Sequence, residues 1–376
     1  MKNNINSKKI YLFYAICFFV LYFGVFYQYI INKTSNINIA FDGLTQHFVA
    51  LKYYGEFLKG IVNNLIVKHK LIIPQFDISF GEGNDILNTL SYYVMGDPFA
   101  LLSIFFNMDN YIFCYDFLNV LRLFFAGLSF VYLCKYLKCK SDIFILIGSS
   151  IYVFNYWCIG QCALGHPYFL NVFIYLPLLI VGVNKIVDNK SPYLYILFIA
   201  IASASNLYFF YMIAVSIFVY VIIKLIINEN NQNRKIKFLQ ITIATIIGLA
   251  ISSIIIIPNI YFILSDTRTS GFSIPFNIFN SLKKNIINFL SLFFYNEWDG
   301  NDMHFAFPFT ILVIIVLSFI SEKKKYLKGI FIFLLTMMFF LPFWKFINCL
   351  SYCSQRWEFL IIFIVSFFVA KFDDYG

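Results

Sequence analysis

Residues 193–227, YLYILFIAIASASNLYFFYMIAVSIFVYVIIKLII, hold one charge, Lys224, in 35 positions. At 1.5 Å of rise per residue a hydrocarbon core of ~30 Å takes about 20 residues, so this run exceeds one crossing and fits two helices. The polar sequence Ser203-Ala204-Ser205-Asn206 near its middle supplies the break between them. A chain built around such a run is a polytopic, all-α membrane protein.

Further apolar runs lie at 10–31, 111–133, 143–159, 168–186, 238–264, 305–320, 329–347 and 357–370, so ten spans are expected within one membrane domain covering 1–376. Composition agrees. Hydrophobic residues make up 61% and charged residues 12%, with a mean hydropathy of +0.77, values that exclude a water-soluble globule without very large apolar patches. The net charge of +9 does not indicate a nucleic-acid partner, because Lys and Arg fall in short clusters between apolar runs. The run 10–31 follows Lys2, Lys8 and Lys9, is longer than a signal-peptide core and precedes no small-residue cleavage site, so it reads as a retained first helix.

Charge placement orients the spans. With the N-terminus in the cytoplasm, seventeen of the 28 basic residues fall on the inner side, in the groups around Lys8, Lys138, Lys190, Lys235, Lys324 and Lys371, as the positive-inside rule requires. Acids show the opposite bias. Thirteen of nineteen lie on the outer side or in the outer halves of spans, which places any chemistry outside the cytoplasm.

Two outer segments are long, 32–110 and 265–304, and segments of that length between spans are functional or folded in their own right. The first carries Asp42, Glu56, Asp77, Glu82, Asp85 and Asp97. It contains an amphipathic helix with Leu44, Phe48, Leu51, Leu58 and Ile61 on one face, expected to lie along the membrane surface, while 98–106 reads as a re-entrant or interfacial piece. The second ends in Glu297-Trp298-Asp299-Gly300-Asn301-Asp302-Met303-His304, a solvated loop with calcium-loop composition but without EF-hand spacing. Eight Cys, at 17, 114, 134, 139, 158, 162, 349 and 353, lack metal-finger spacing and read as small apolar residues, Cys158/Cys162 and Cys349/Cys353 being the pairs spaced for oxidation.

Asp42, in Phe41-Asp42-Gly43-Leu44-Thr45-Gln46-His47, suits two roles: the N-cap of the amphipathic helix, and a carboxylate beside the bilayer that takes a proton from an attacking hydroxyl. Gln46 and His47 follow one turn on, His47 reading as structural. In Ser79-Phe80-Gly81-Glu82-Gly83-Asn84-Asp85 the two glycines allow a tight turn whose N–H groups face a phosphate, and Asp85 either caps the next helix or serves as a ligand. Asp42 with Glu82 or Asp85 offers hard oxygen ligands for a divalent cation, Mg or Mn. His166 at the mouth of a span, Asn206 at the helix break and Arg356 in Gln355-Arg356-Trp357-Glu358 complete the candidates for substrate binding. Arg356 suits a bidentate lipid-phosphate clamp or a snorkelling anchor. Arg122, inside a span, needs a partner; Asp116 is the nearest acid on the same helix but is poorly phased.

The acidic first outer segment, the GxGxD-like turn, Ser91-Tyr92-Tyr93-Val94-Met95-Gly96-Asp97-Pro98-Phe99, Ser205-Asn206-Leu207-Tyr208-Phe209-Phe210-Tyr211-Met212 and Gln355-Arg356-Trp357 together resemble the YfhO family of bacterial membrane proteins, which looks like part of the GT-C glycosyltransferase superfamily. The resemblance implies a cytoplasmic-membrane enzyme moving a sugar from a polyprenyl-phosphate donor to a cell-envelope acceptor such as lipoteichoic acid. It implies Asp42 as catalytic base, Asp85 as the second acidic position with Glu82 as competitor, and substrate roles for Gln46, His166, Asn206 and Arg356. Members of the family are typically longer, so a short or truncated member is expected. The competing readings are a transporter or flippase of lipid-linked sugars and a non-catalytic envelope-assembly protein. The scarcity of ionisable residues within the spans favours the enzyme.

Overall fold

The computed structural model describes residues 8–31, 42–80, 82–227, 233–265, 309–321, 325–350, 354 and 356–372. Residues 266–304, Cys353 and Gln355 lie outside the described residues. In chain order the main helices are α1 (Lys9–Val25), α2 (Val49–Lys68), α3 (Tyr111–Tyr136), α4 (Asp142–Val153), α5 (Asn171–Val187), α6 (Tyr193–Ser205), α7 (Leu207–Ile227), α8 (Arg234–Ser265), α9 (Phe309–Ser321), α10 (Lys325–Met337), α11 (Leu341–Ile347) and α12 (Phe359–Ala370). Among the described residues five helical segments are long and apolar enough to cross a membrane: Met108–Tyr136, Asp142–Ala163, Pro167–Val187, Leu207–Ile227 and Arg234–Leu264. Lys9–Val25 and Tyr193–Ser205 are shorter apolar helices.

The chain forms two compact units, each discontinuous in sequence: one of 1–33, 123–162 and 271–376, the other of 34–122 and 163–270. In the first, the Tyr14 hydroxyl donates to the Phe124 carbonyl at 2.7 Å and its ring lies against Gly127, where any side chain would collide with it. Gly148 on α4 likewise lets the backbone of α12 approach at Ser366. Small residues at helix contacts are how apolar helices pack where lipid offers no hydrophobic gradient. Cys158 and Cys162 are buried thiols, not a disulfide.

In the second unit α5 is buried on nearly all faces, with α6 and α8 joined beside it by Tyr195–Thr245 (3.0 Å) and Ser203–Ser252 (2.8 Å) hydroxyl pairs. The break expected in 193–227 falls where the sequence places it. α6 stops at Ser205, Asn206 is extended (φ −164°, ψ 107°), and its Oδ1 accepts from the Phe209 N–H at 3.1 Å, which starts α7 as an N-cap.

Within the same unit the segment 42–110 packs over a core formed by Leu51, Tyr54, Ile86, Leu90, Tyr111 and Tyr115, among others. Its helical start is a π turn, Gly43–Phe48, continuing into α2. The buried face is His47, Ala50, Leu51, Tyr54 and Gly55, with Phe48 and Leu58 of the expected stripe packed partly buried against the same core, whereas Leu44 is exposed. Leu44 leaves that face because the wide i→i+5 turn shifts the phase of the residues before Val49 relative to the 3.6-residue period. Phe76–Asp77 and Asn84–Asp85 form a two-stranded antiparallel ribbon, β1 and β2, pairing Phe76 with Asp85. The stretch 98–106, read as re-entrant or interfacial, holds a 3₁₀ turn, Ala100–Phe105.

The partner of Arg122 is Asp97, not Asp116. Asp97 and Arg122 are 0% and 1% exposed, and the guanidinium Nη2 donates to the Asp97 carboxylate while Nε donates to Asn171 Oδ1 at 3.2 Å. Phe99 and Tyr168 flank the guanidinium, with ring centroids at 5.2 and 4.9 Å. Six residues along a helix leaves two side chains about 120° apart and ~9 Å along the axis, whereas Asp97 arrives from a separate segment. Gly96, at φ +80°, brings that segment so close to α6 that a Cβ would overlap the Ala204 carbonyl; Ser205 Oγ bonds Gly96 O at 3.1 Å and Asn206 Nδ2 donates to Tyr92 O at 3.0 Å.

Removing one member of a buried ion pair strands the other charge, so Asp97→Ala and Arg122→Ala should each destabilise the detergent-solubilised protein by ~3–5 kcal/mol. The double variant should lose less than the sum of the two, read by thermal unfolding.

Candidate functional site

Asp42 stands at the start of the π turn with 45% of its side chain exposed, the accessibility a reacting carboxylate needs. It is held from two sides. Gln46, one turn on, donates from Nε2 to Asp42 Oδ1 at 2.8 Å, and the Tyr93 hydroxyl donates to Gln46 Oε1 at 2.8 Å. Burial, with the Asp42 charge adding to it, pushes the Tyr93 phenol above its ordinary 10.0, so at neutral pH it remains a donor and fixes the amide's orientation.

On the other side Asp42 Oδ2 lies 3.9 Å from His166 Nε2, an ion pair when the imidazole is protonated. His166 Nδ1 in turn lies 2.9 Å from His47 Nε2. With the His166 proton on Nε2, toward Asp42, Nδ1 accepts from the His47 N–H. The chain Asp42, His166, His47 therefore links an accessible carboxylate to a fully buried imidazole. Phe169 stacks on His166 at 4.6 Å and 13°, and the Tyr168 hydroxyl donates to the His47 carbonyl at 3.3 Å.

Local sequence explains how residues 119 positions apart meet. Pro167 starts a 3₁₀ turn leading into α5 and disfavours α geometry at the residue before it, so His166 is non-helical at φ −134°, ψ 73°. Gly43 admits the carbonyls of Leu164 and Gly165, which a Cβ there would meet at 3.1 Å, and the Tyr115 hydroxyl ties Gly43 O at 3.0 Å. Gly43 thus sits where these two backbones come together, and a Cβ there would press on both carbonyls.

The other candidates sit elsewhere. Asp85 caps the short helix Ile86–Leu90, its Oδ1 accepting from the Asn88 N–H at 2.8 Å. Glu82 is exposed on the turn between β1 and β2, where Gly83 has φ +111°. Asn206 uses both ends of its amide, as helix cap and as anchor for Tyr92. Arg356 belongs to the other unit, partly buried in the turn before α12. The structure brings together Asp42, Gln46 and His166; among the described residues these two are Asp42's polar partners.

Sequence reasoning passed over Tyr93, Asp97 and the linking role of His47. One signal was available: an Arg within an apolar span demands a carboxylate, and Asp97 lies in the one acid-rich segment that precedes it. Among the described residues no three His, Cys, Asp or Glu side chains gather into a metal cluster.

A second tie holds the β1–β2 ribbon to α2. The Tyr53 hydroxyl donates to Asp77 Oδ2 at 2.5 Å, and the Ser79 N–H donates to Oδ1 at 2.8 Å; these bonds hold the Asp77 carboxyl below its ordinary 3.8. On α2, Lys59 and then Tyr111 lower Glu56 from 4.5 in the same way.

A sequence model of the family described as Bacterial membrane protein YfhO matches residues 14–375, nearly the whole chain. No curated protein and no solved structure matches it.

Because a depressed carboxylate stabilises the folded state above its unfolded pKa, the Tyr53–Asp77 tie is complete at neutral pH and is lost as pH falls below 3.8. Tyr53→Phe should therefore raise amide exchange over 76–85 by about fivefold at neutral pH, as expected for one hydrogen bond, with α2 unchanged. The wild type should show the same loosening only in acid.

Proposed function

Since the chain belongs to the YfhO family of bacterial membrane proteins, we propose that it is a GT-C-type glycosyltransferase of the cytoplasmic membrane. In this reading the N-terminus is cytoplasmic and the site is extracytoplasmic. It moves a sugar from a polyprenyl-phosphate donor to a cell-envelope glycopolymer such as lipoteichoic acid. The observation that carries the reading is Asp42: exposed to an incoming hydroxyl, oriented by Gln46 through Tyr93, and backed by His166.

The acceptor oxygen attacks C1 of the sugar while Asp42 takes its proton, and the bond from C1 to the donor phosphate breaks with the electron pair leaving on the polyprenyl phosphate. His166, in contact with His47, shares or removes the proton from Asp42 between turnovers. A single displacement inverts the anomeric centre. Two further roles come from sequence alone: Arg356 as partner of the departing phosphate, and a Mg or Mn ion on Asp42 with Glu82 or Asp85. Asp85 Oδ1 is engaged as a cap, so no step here is routed through a cation.

The flippase reading drew on Asn206 and Arg122. Both are fully engaged, Arg122 by Asp97, Asn171 and two aromatic rings, which suits a structural anchor better than a moving gate.

The test is sugar transfer by the reconstituted full chain from radiolabelled polyprenyl-phosphate sugars. Asp42→Asn should lower transfer by about 10²–10⁴-fold, the span of general-base contributions. His166→Asn should cost less and flatten the dependence on pH. No transfer by the wild type, with lipid scrambling in the same vesicles, would favour the flippase; neither activity would favour an assembly protein. EDTA should abolish transfer if a divalent cation takes part, and survival of transfer in EDTA removes the cation.

A further inference from the structure

Protein covers the apolar stripe of α2 for only half its length. Leu51 and Tyr54 are buried in one core with Tyr111 and Tyr115, at the start of the membrane-crossing helix α3. Val62, Leu65 and Ile66 repeat Leu51, Tyr54 and Gly55 about three helical turns further along, so they continue the same stripe on the same side. There the stripe is open: Val62, Leu65 and Ile66, and Leu71, Ile72 and Ile73 after α2 ends, are 40–66% exposed. Large apolar side chains left open together mark a contact with a membrane or a protein.

The ties of α2 to α3 decide between the two. Glu56 accepts from the Tyr111 hydroxyl at 2.8 Å and Lys59 donates to Phe106 O, so α2 lies across the Tyr111 end of α3 and ~14 Å of helix remains beyond Lys59. The Phe106 ring stands 6.2 Å from that of Phe113, and Ile112 and Phe113 are themselves exposed on α3. The open apolar side of a membrane-crossing helix meets lipid, and the uncovered stripe continues that surface at the end of the span. Lys68, His69 and Lys70 are exposed where α2 ends in a left-handed residue, His69 (φ 52°), and cations beside an apolar face suit the head-group level. We propose that the last turns of α2 and residues 71–73 insert into the interfacial layer of the bilayer. Only this distal half meets lipid; the proximal half, expected on the membrane surface with it, is covered by protein. The foot fixes the height over the acyl chains of the turn carrying Asp42, which runs directly into α2. It does so whether or not the chain transfers sugar.

The test is tryptophan fluorescence of the full chain, one chain per nanodisc, in phosphatidylcholine with brominated acyl chains, read as the difference between each variant and the wild type. Ile66→Trp and Ile72→Trp lie on the foot and Asn63→Trp on the back of the helix, all at exposed positions, with circular dichroism as a check on folding. The added emission of Ile66→Trp and Ile72→Trp should be lost, most fully to bromines near the head-group end of the chain, as expected for a face ~5–10 Å into the boundary. That of Asn63→Trp should survive brominated lipid and fall with aqueous acrylamide. If one foot variant fails to fold, the other is compared with Asn63→Trp. Emission of the foot variants that survives brominated lipid and falls with acrylamide would overturn the proposal and leave the face to a protein partner. Equal loss in all three variants to brominated lipid would also overturn it, since the helix would then have no lipid-facing side.

Discussion

The buried pair of Asp97 and Arg122 is the constraint on which the second unit depends. A guanidinium eleven residues along α3 from Tyr111, ~16 Å at helical rise, cannot stay charged among aromatic and aliphatic side chains without a carboxylate, so the segment bearing Asp97 is drawn down to meet it. Once there, that segment must lie flat against α6, and Gly96 is the residue that permits it. Asn206 then does two jobs at the helix break, capping α7 and holding the Tyr92 carbonyl. The next residue, Tyr93, is thereby presented to Gln46, and Gln46 to Asp42. A buried charge pair thus positions the Asp42 carboxylate from a distance.

Asp42 combines features that seldom occur together in a cap. Its side chain is nearly half exposed, yet one oxygen is held by an amide whose orientation is fixed from behind and the other faces an imidazole. A plain N-cap would spend its carboxylate on the N–H groups of the following turn; here no side-chain cap bond forms, and both oxygens face side chains instead. Asp85 is the contrasting case, an acid of similar sequence context that does bond the helix start. The two aspartates differ in these partners: Asp85 bonds a helix start, Asp42 bonds side chains.

Much of the fold was readable from hydropathy: the long apolar helices, the break at Asn206 and the polar segment between α1 and α3 all follow from run length and residue type. Less of the site was. Asp42, Gln46 and His166 are each legible as candidates, but that His166 reaches Asp42 and, across 119 residues, His47 follows from Gly43 admitting the Leu164 and Gly165 carbonyls, a contact no local pattern encodes. Leu44 departs from the expected apolar face because the π turn before α2 shifts the phase that a helical period assumes. Arg122 announced its need for a carboxylate but not which one, since local spacing pointed to Asp116 and the pairing is tertiary.

The most direct test of the central claim, that the turn carrying Asp42 is where a lipid-linked sugar reacts, is to photo-crosslink the reconstituted chain with a polyprenyl-phosphate sugar bearing a photoreactive group on the sugar, and to map the adduct by peptide mass spectrometry. The account predicts labelling within residues 42–48, 91–96 or 164–169, competed away by unlabelled donor. Competable labelling confined to other segments, with these three free of adduct, would contradict it.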